Sequence, residues 1–265
     1  DSSIRKAAVA GVFYPAQEHE CRRLVQQLLA GAREQAAKIG PVPAAIAPHA
    51  GLIYSGALAA RVYPGLLGAG GERGLLAILC PNHRVPLAGM ALEGHSSFET
   101  PLGLVDVAGD VGAELLGLPE LTVDNGVHLQ EHAIEVHLPF LQVLGFSGRI
   151  LPIVVGQCPA SAVAELIAQL VERHQARILI SSDLSHFLPY TEAQQTDAAT
   201  THAIEQLLSD IQPGQACGCS AVNGMNLFAR RSGWRVQTLG TCNSGDSSGD
   251  RSRVVGYGAY AYAAT

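Results

Sequence analysis

The chain has 265 residues, of which 17 are Lys or Arg and 23 Asp or Glu, for a net charge of −6, and 48% are hydrophobic. Only 15% are charged and the mean hydropathy is positive, which excludes a disordered chain. The acidic pI argues against a nucleic-acid partner, because no cationic field meets the phosphates, and no apolar run is long enough to span a bilayer as a helix.

In chain order, Cys21 to Ala37 carries apolar residues at helical spacing. Val42 to Ala47 is a short apolar run ending in Pro48-His49-Ala50-Gly51, and Ser55 to Leu67 reads as a second helix. Gly68 to Gly74 is expected to be a glycine-rich turn. Gly74 to Cys80 is continuously apolar, as a strand buried on both faces requires, and ends in Pro81-Asn82-His83. Ile150 to Val155 and Arg177 to Ser182 repeat the pattern, with a helix from about Ser161 to Arg173 between them. The second of these ends in Ser182-Asp183-Leu184-Ser185-His186. Arg235 to Leu239 and Val254 to Tyr262 read as late, paired strands. Alternation of strand and helix without a linker or repeat predicts one α/β domain over 1–265, with a mostly buried central sheet flanked by helices.

Open α/β sheets place their sites beyond the carboxyl ends of the strands. Here three such ends carry His49, His83 and the Asp183/His186 pair. Neutral imidazole is the commonest metal ligand, so His49 and His83 are metal candidates. Asp183 either orients an imidazole or caps a following helix. The run Glu131-His132-Ala133-Ile134-Glu135-Val136-His137 is dense in titratable groups. On a helix, Glu131 and Glu135 share a face, as do His132 and Glu135; the two histidines are five apart, so this is not a zincin motif. His19, His174 and His202 read as surface residues, and His95 and His128 lie in loops. The stretch from Asn243 to Arg253 holds glycines, Asp246 and Arg251 but no phosphate-loop pattern; Arg251 or Arg253 is expected to meet an anionic substrate group. The six cysteines include one Cys-X-Cys, Cys217-Gly218-Cys219, and no Cys-X-X-Cys, a usage that favours a reducing cytoplasm.

Ala47-Pro48-His49-Ala50-Gly51, Cys80-Pro81-Asn82-His83, Thr100-Pro101-Leu102-Gly103, Glu131 to Phe140 and Ser181 to His186 come in the order seen in the Memo family, called in prokaryotes the AmmeMemoRadiSam system protein B. The resemblance runs from about Arg5 to Tyr262. It implies a fold like that of the class III, LigB-type extradiol dioxygenases, which hold Fe(II). It further implies metal ligands at His49, His83 and Cys217, with Asp183 and His186 as catalytic pair. Cys219 is a rival to Cys217. Glu131, His132, Glu135, Asp246 and Arg251 are expected around the ligands or the substrate. A thiolate in place of a carboxylate softens the site, which suits iron, copper or zinc. The expected activity is metal-dependent redox chemistry of oxygenase type on a small molecule. The alternatives are a binding or signalling protein on the same scaffold, and a zinc hydrolase with Glu131 or Glu135 as base. The family name also implies association with AMMECR-type and radical-SAM proteins.

Overall fold

The structure is a computed structural model and describes residues 3–71 and 73–265. Five strands lie side by side and all parallel: Gly103–Val107, Arg149–Val155, Leu75–Pro81, Arg177–Ser181 and Ala44–Ala47. Val254–Ala263 then pairs antiparallel with Ala44–Ala47, and Arg235–Asn243 pairs antiparallel with Val254–Ala263. Four of the five parallel strands are apolar at nearly every position because both sheet faces are covered, and successive residues feed opposite cores; Gly103–Val107 is exposed at three of its five residues. Ala45, Ala47, Ile78 and Cys80 join one core. Ala44, Ile46, Ala77 and Leu79 join the other, against the helices Ala160–His174 and Cys219–Arg231. The expected single α/β domain with its buried sheet is the observed architecture. Among the described residues no helix is long and apolar enough to cross a membrane.

Three readings change. The helix expected from Ser55 to Leu67 is two, Leu52–Ala59 and Tyr63–Gly71. Pro64 is the reason: its ring and missing N–H are tolerated only in a first turn, so the chain must restart there. The second helix runs to Gly71 through the segment expected to be a turn; Glu72, in that segment, lies outside the described residues. Asp183 caps no helix: the strand His186–Leu188 follows it, and the next helix, Tyr190–Glu205, opens after Pro189.

The fold positions the site through register. Ala47 lies opposite Ser181, and Leu79 opposite Ile180, on three adjacent parallel strands. Chain leaving these strands at one edge therefore carries His49, His83 and Asp183 into a common space.

Candidate metal centre

His49 is fully buried and is placed by a hydrogen-bond chain. Its Nδ1 lies 2.8 Å from Ser181 Oγ, and His137 Nε2 lies 2.8 Å from the same oxygen. Ser181 has one hydroxyl proton, which it donates to the Ala133 carbonyl at 2.7 Å. Both imidazoles must therefore donate to Ser181 Oγ. His137 Nδ1 is left to accept from the Tyr63 hydroxyl at 2.7 Å. Ser181 Oγ, both His137 ring nitrogens and the Tyr63 hydroxyl are thereby all partnered, as a low-dielectric interior favours. The consequence for His49 is a fixed tautomer: Nδ1 carries the proton and Nε2 keeps a free lone pair.

His83 is fixed the same way by one carboxylate. Glu131 accepts the His83 backbone N–H at 2.5 Å and lies 2.8 Å from Nδ1. The His83 hydrogen bond and charge hold the Glu131 carboxyl below its usual range despite burial. An ionised Glu131 makes His83 Nδ1 the donor and leaves Nε2 free, the arrangement found behind metal-ligating histidines. Glu131 also caps the short helix His132–Glu135 through the Ala133 N–H.

His132 stacks between Phe13 and His83, with ring centroids 4.3 and 4.5 Å apart. Its Nδ1 is buried without a hydrogen-bond partner. Burial and the charge of His83 push its pKa down to about 4. Donor atoms of His49, His83 and His132 all lie within 4.8 Å of one another. Three imidazoles, two with oriented lone pairs and one with an orphaned nitrogen, fit a transition-metal ion, and this group could hold one.

Cys217 sits on the residue before Gly218, which opens the helix Cys219–Arg231. Its Sγ is 3.4 Å from His49 Nε2 and accepts the Asp183 N–H at 3.3 Å. Burial and the neighbouring Asp183 push the thiol far up, so without a cation it is neutral. Cys219 packs into the sheet core instead, and all six cysteines are free. Gly218 is what lets Cys217 approach: a Cβ there would lie 2.8 Å from the Ser181 carbonyl and 2.8 Å from Ser182 Cβ. Gly218→Ala is therefore expected to cost about 1–3 kcal/mol and to move Sγ off His49, read by thermal melting and by a crystal structure of the variant.

Asp183 is buried and ties the cluster together. Its Oδ1 accepts the His49 backbone N–H at 2.9 Å, and Oδ2 lies 3.6 Å from His49 Nε2. Burial, opposed by that N–H, pushes its pKa up to about 7. His186 lines the same cavity, with its pKa lowered by burial. Asp183 bonds to His49 rather than to His186.

Three expected residues are placed elsewhere. Glu135 does not share a face with Glu131, because the helix between them is one turn long. Its carboxylate is fully buried and pairs with Arg5. It also accepts from the N–H groups of Ala8 and Val9 at 2.8 and 3.0 Å and from the Tyr14 hydroxyl at 2.6 Å. Asp246 accepts from Tyr190 Oη at 2.5 Å and from the Asn243 N–H, and Arg251 stacks on Tyr190 at 4.0 Å. It is Asp250 and Arg253 that line the cavity, in a segment that bends at Ser252 and Arg253 before the strand Val254–Ala263 begins. Ser181 as His49's support and Phe13 as a wall carry no local sequence signal that separates them from core residues; His137 stands out in the titratable run, but its bond to Ser181 is not readable there.

The buried histidines also make the fold acid-labile. Burial pushes His137 down to about 3 and lowers His49 and His128. The unfolded chain takes up these protons near pH 6.5, so the stability they confer is complete above that pH and is lost as pH falls toward 3. Urea midpoints are expected to drop steadily below pH 6.5; a flat profile down to pH 4 would contradict the neutral, hydrogen-bonded imidazoles.

The family model for Memo-like proteins matches residues 5–261. A MEMO1 family protein of Methanosarcina acetivorans is 36% identical, over 97% of this chain and 98% of its own. Relatives of the same description from Aquifex aeolicus and Methanothermobacter thermautotrophicus are 35% and 32% identical over 96% of this chain, and 97% and 98% of theirs. Among solved structures, an uncharacterized protein of Escherichia coli K12 is similar in fold, with a TM-score of 0.50 at 12% identity over 82% of this chain and 99% of its own. The chain belongs to the Memo family.

Proposed function

We propose that the protein is a metal-dependent oxidoreductase acting on a small molecule, with one iron ion held by His49, His83 and Cys217. The observation that carries this reading is the free Nε2 of His49, fixed by Ser181, with Cys217 Sγ 3.4 Å away. A nitrogen and a sulfur at ordinary metal–ligand distances subtend an edge of about 3.5 Å at a tetrahedral ion. His83 stands nearly perpendicular to His49, at 80° between ring planes, so their in-plane lone pairs can converge. His132 is nearly parallel to His83, at 27°. Two stacked rings cannot both aim in-plane lone pairs at one ion unless one turns. His132 is therefore assigned to the substrate side of the site.

Bound iron would supply redox chemistry. Asp183 and His186 flank the same cavity and are assigned the movement of protons, and Asp183 also holds the His49 backbone. Glu131 keeps His83 in its ligating tautomer. The zinc-hydrolase reading lacks its base, since Glu131 is engaged by His83 and Glu135 by Arg5. Shared small-molecule chemistry with AMMECR-type and radical-SAM proteins belongs to this proposal. Anaerobic purification with elemental analysis, followed by oxygen-uptake measurements, tests it. The expected result is one iron per chain and oxygen consumption that depends on it. Copper in that place would revise the metal; zinc without oxygen uptake would restore hydrolysis; a metal-free, oxygen-inert protein would leave only binding.

A further inference from the structure

The cavity above the histidines has a volume of about 490 Å³, within the range of small-molecule pockets. Its lining is uneven. Phe13, Tyr54, Tyr257 and Val255 give it an apolar and aromatic wall, and Arg253 is its one permanent cation. Arg253 forms no ion pair or hydrogen bond among the described residues. What steadies its guanidinium is the ring of Phe187, 4.9 Å from centroid to Cζ. Phe187 is held there by an irregularity of pairing: His186 pairs with Val255 and Leu188 with Val254, so Phe187 is a bulge between them. Its φ is +65° and its side chain is 58% exposed. A large apolar residue rarely takes that conformation, and bulges beside sites re-aim side chains. The chain thus places a strained, exposed aromatic against the unpaired arginine on one side and edge-on to the His186 ring on the other.

Two hydroxyls share the cavity. Ser244 Oγ accepts the Val255 N–H and Ser248 Oγ accepts the Asp250 N–H, which leaves both O–H groups able to donate outward. Asp250 faces the same cavity as an anion, its pKa lowered by hydrogen bonds from Ser252. One guanidinium beside one carboxylate, with two hydroxyl donors, suits a ligand group of single negative charge. A doubly charged group would meet Asp250 without a second cation to offset it.

We propose that Arg253, with Ser244 and Ser248, forms an anion subsite at this cavity, and that the substrate is a small monocarboxylate with an apolar or aromatic body. Its carboxylate lies on Arg253 and its body along Phe13, Tyr54 and Tyr257. This rests on the cavity being the reaction site proposed above, but it is tested without activity or metal. Binding of benzoate, benzyl alcohol and phenyl phosphate is measured by ligand-observed NMR on the protein as purified and after metal stripping. Wild type is expected to bind benzoate at least tenfold more tightly than benzyl alcohol in both forms. Arg253→Gln is expected to lose that preference while keeping its affinity for benzyl alcohol, its melting temperature and its metal content. Arg251→Gln, on the neighbouring arginine stacked on Tyr190, is expected to change nothing. Unchanged benzoate affinity in Arg253→Gln, equal binding of acid and alcohol, or no binding of any probe would overturn the subsite. Tighter binding of phenyl phosphate would overturn the monocarboxylate. Discrimination that persists in a protein unable to take up metal would uphold the subsite and sink the metal centre instead.

Discussion

His83→Ala is expected to lose its metal completely, from one ion per chain to none, while His186→Ala keeps it. In the cluster, His83 supplies one of the two imidazole nitrogens whose lone pairs are freed by hydrogen bonds on the far side of the ring. Its removal takes away a ligand and leaves the buried Glu131 carboxylate with only backbone N–H donors. His186 lines the cavity but is not among the three converging imidazoles, so its loss costs proton transfer, expected to be about 10²–10⁴-fold in rate. Between these, Glu131→Gln is expected to weaken metal binding about 10–100-fold, the usual effect of losing the partner behind a ligating histidine. Competitive titration against a chromophoric chelator measures all three. Equal loss of metal in His186→Ala and His83→Ala would make His186 a ligand.

The largest effect on stability is expected far from the metal ligands in sequence, at Arg5 and Glu135. Both side chains are fully buried, and they pair. Arg5 also donates to the carbonyls of His128 and Glu131, at 2.8 and 2.6 Å. Glu135 gathers the Ala8 and Val9 N–H groups and the Tyr14 hydroxyl. The pair thus fastens the start of the chain to the segment that delivers Glu131 and His132. Removing one partner leaves the other charged, desolvated and unpaired, at a cost of about 3–5 kcal/mol. Glu135→Gln or Arg5→Met should lower the urea midpoint accordingly and loosen metal binding through Glu131. A double variant Arg5→Met, Glu135→Met should recover part of the stability, since no charge is then stranded; no recovery would mean that shape, not charge, is what the pair contributes.

The strands were legible because two-sided burial forces continuous apolar runs, as in Leu75 to Cys80, and Pro81-Asn82-His83 marks where such a run must end. His49, His83 and Asp183 were legible for the same reason: each follows a strand end, and parallel neighbours share one edge. The broken helix at Pro64 was readable in principle, since proline belongs in a first turn. The division of labour between Glu131 and Glu135 was not. Four residues apart, they share a face on a long helix, but this helix is a single turn, and partners at His83 and Arg5, 48 and 130 residues away, pull them apart. Ser181 was hidden likewise, because its role depends on three groups from distant segments meeting at one oxygen. Arg251 and Arg253 are separated by the bend at Ser252, which sends one onto Tyr190 and the other onto Phe187 and which the sequence alone does not assign.

Metal-edge X-ray absorption of the loaded protein tests the proposed centre most directly, because it reads the atoms around the ion. With His49, His83 and Cys217 as ligands, the nearest shell holds one sulfur at about 2.3 Å beside nitrogens at about 2.0–2.1 Å, and Cys217→Ser removes the sulfur. A shell of nitrogen and oxygen alone in the unmodified protein would contradict that centre and give the third place to His132.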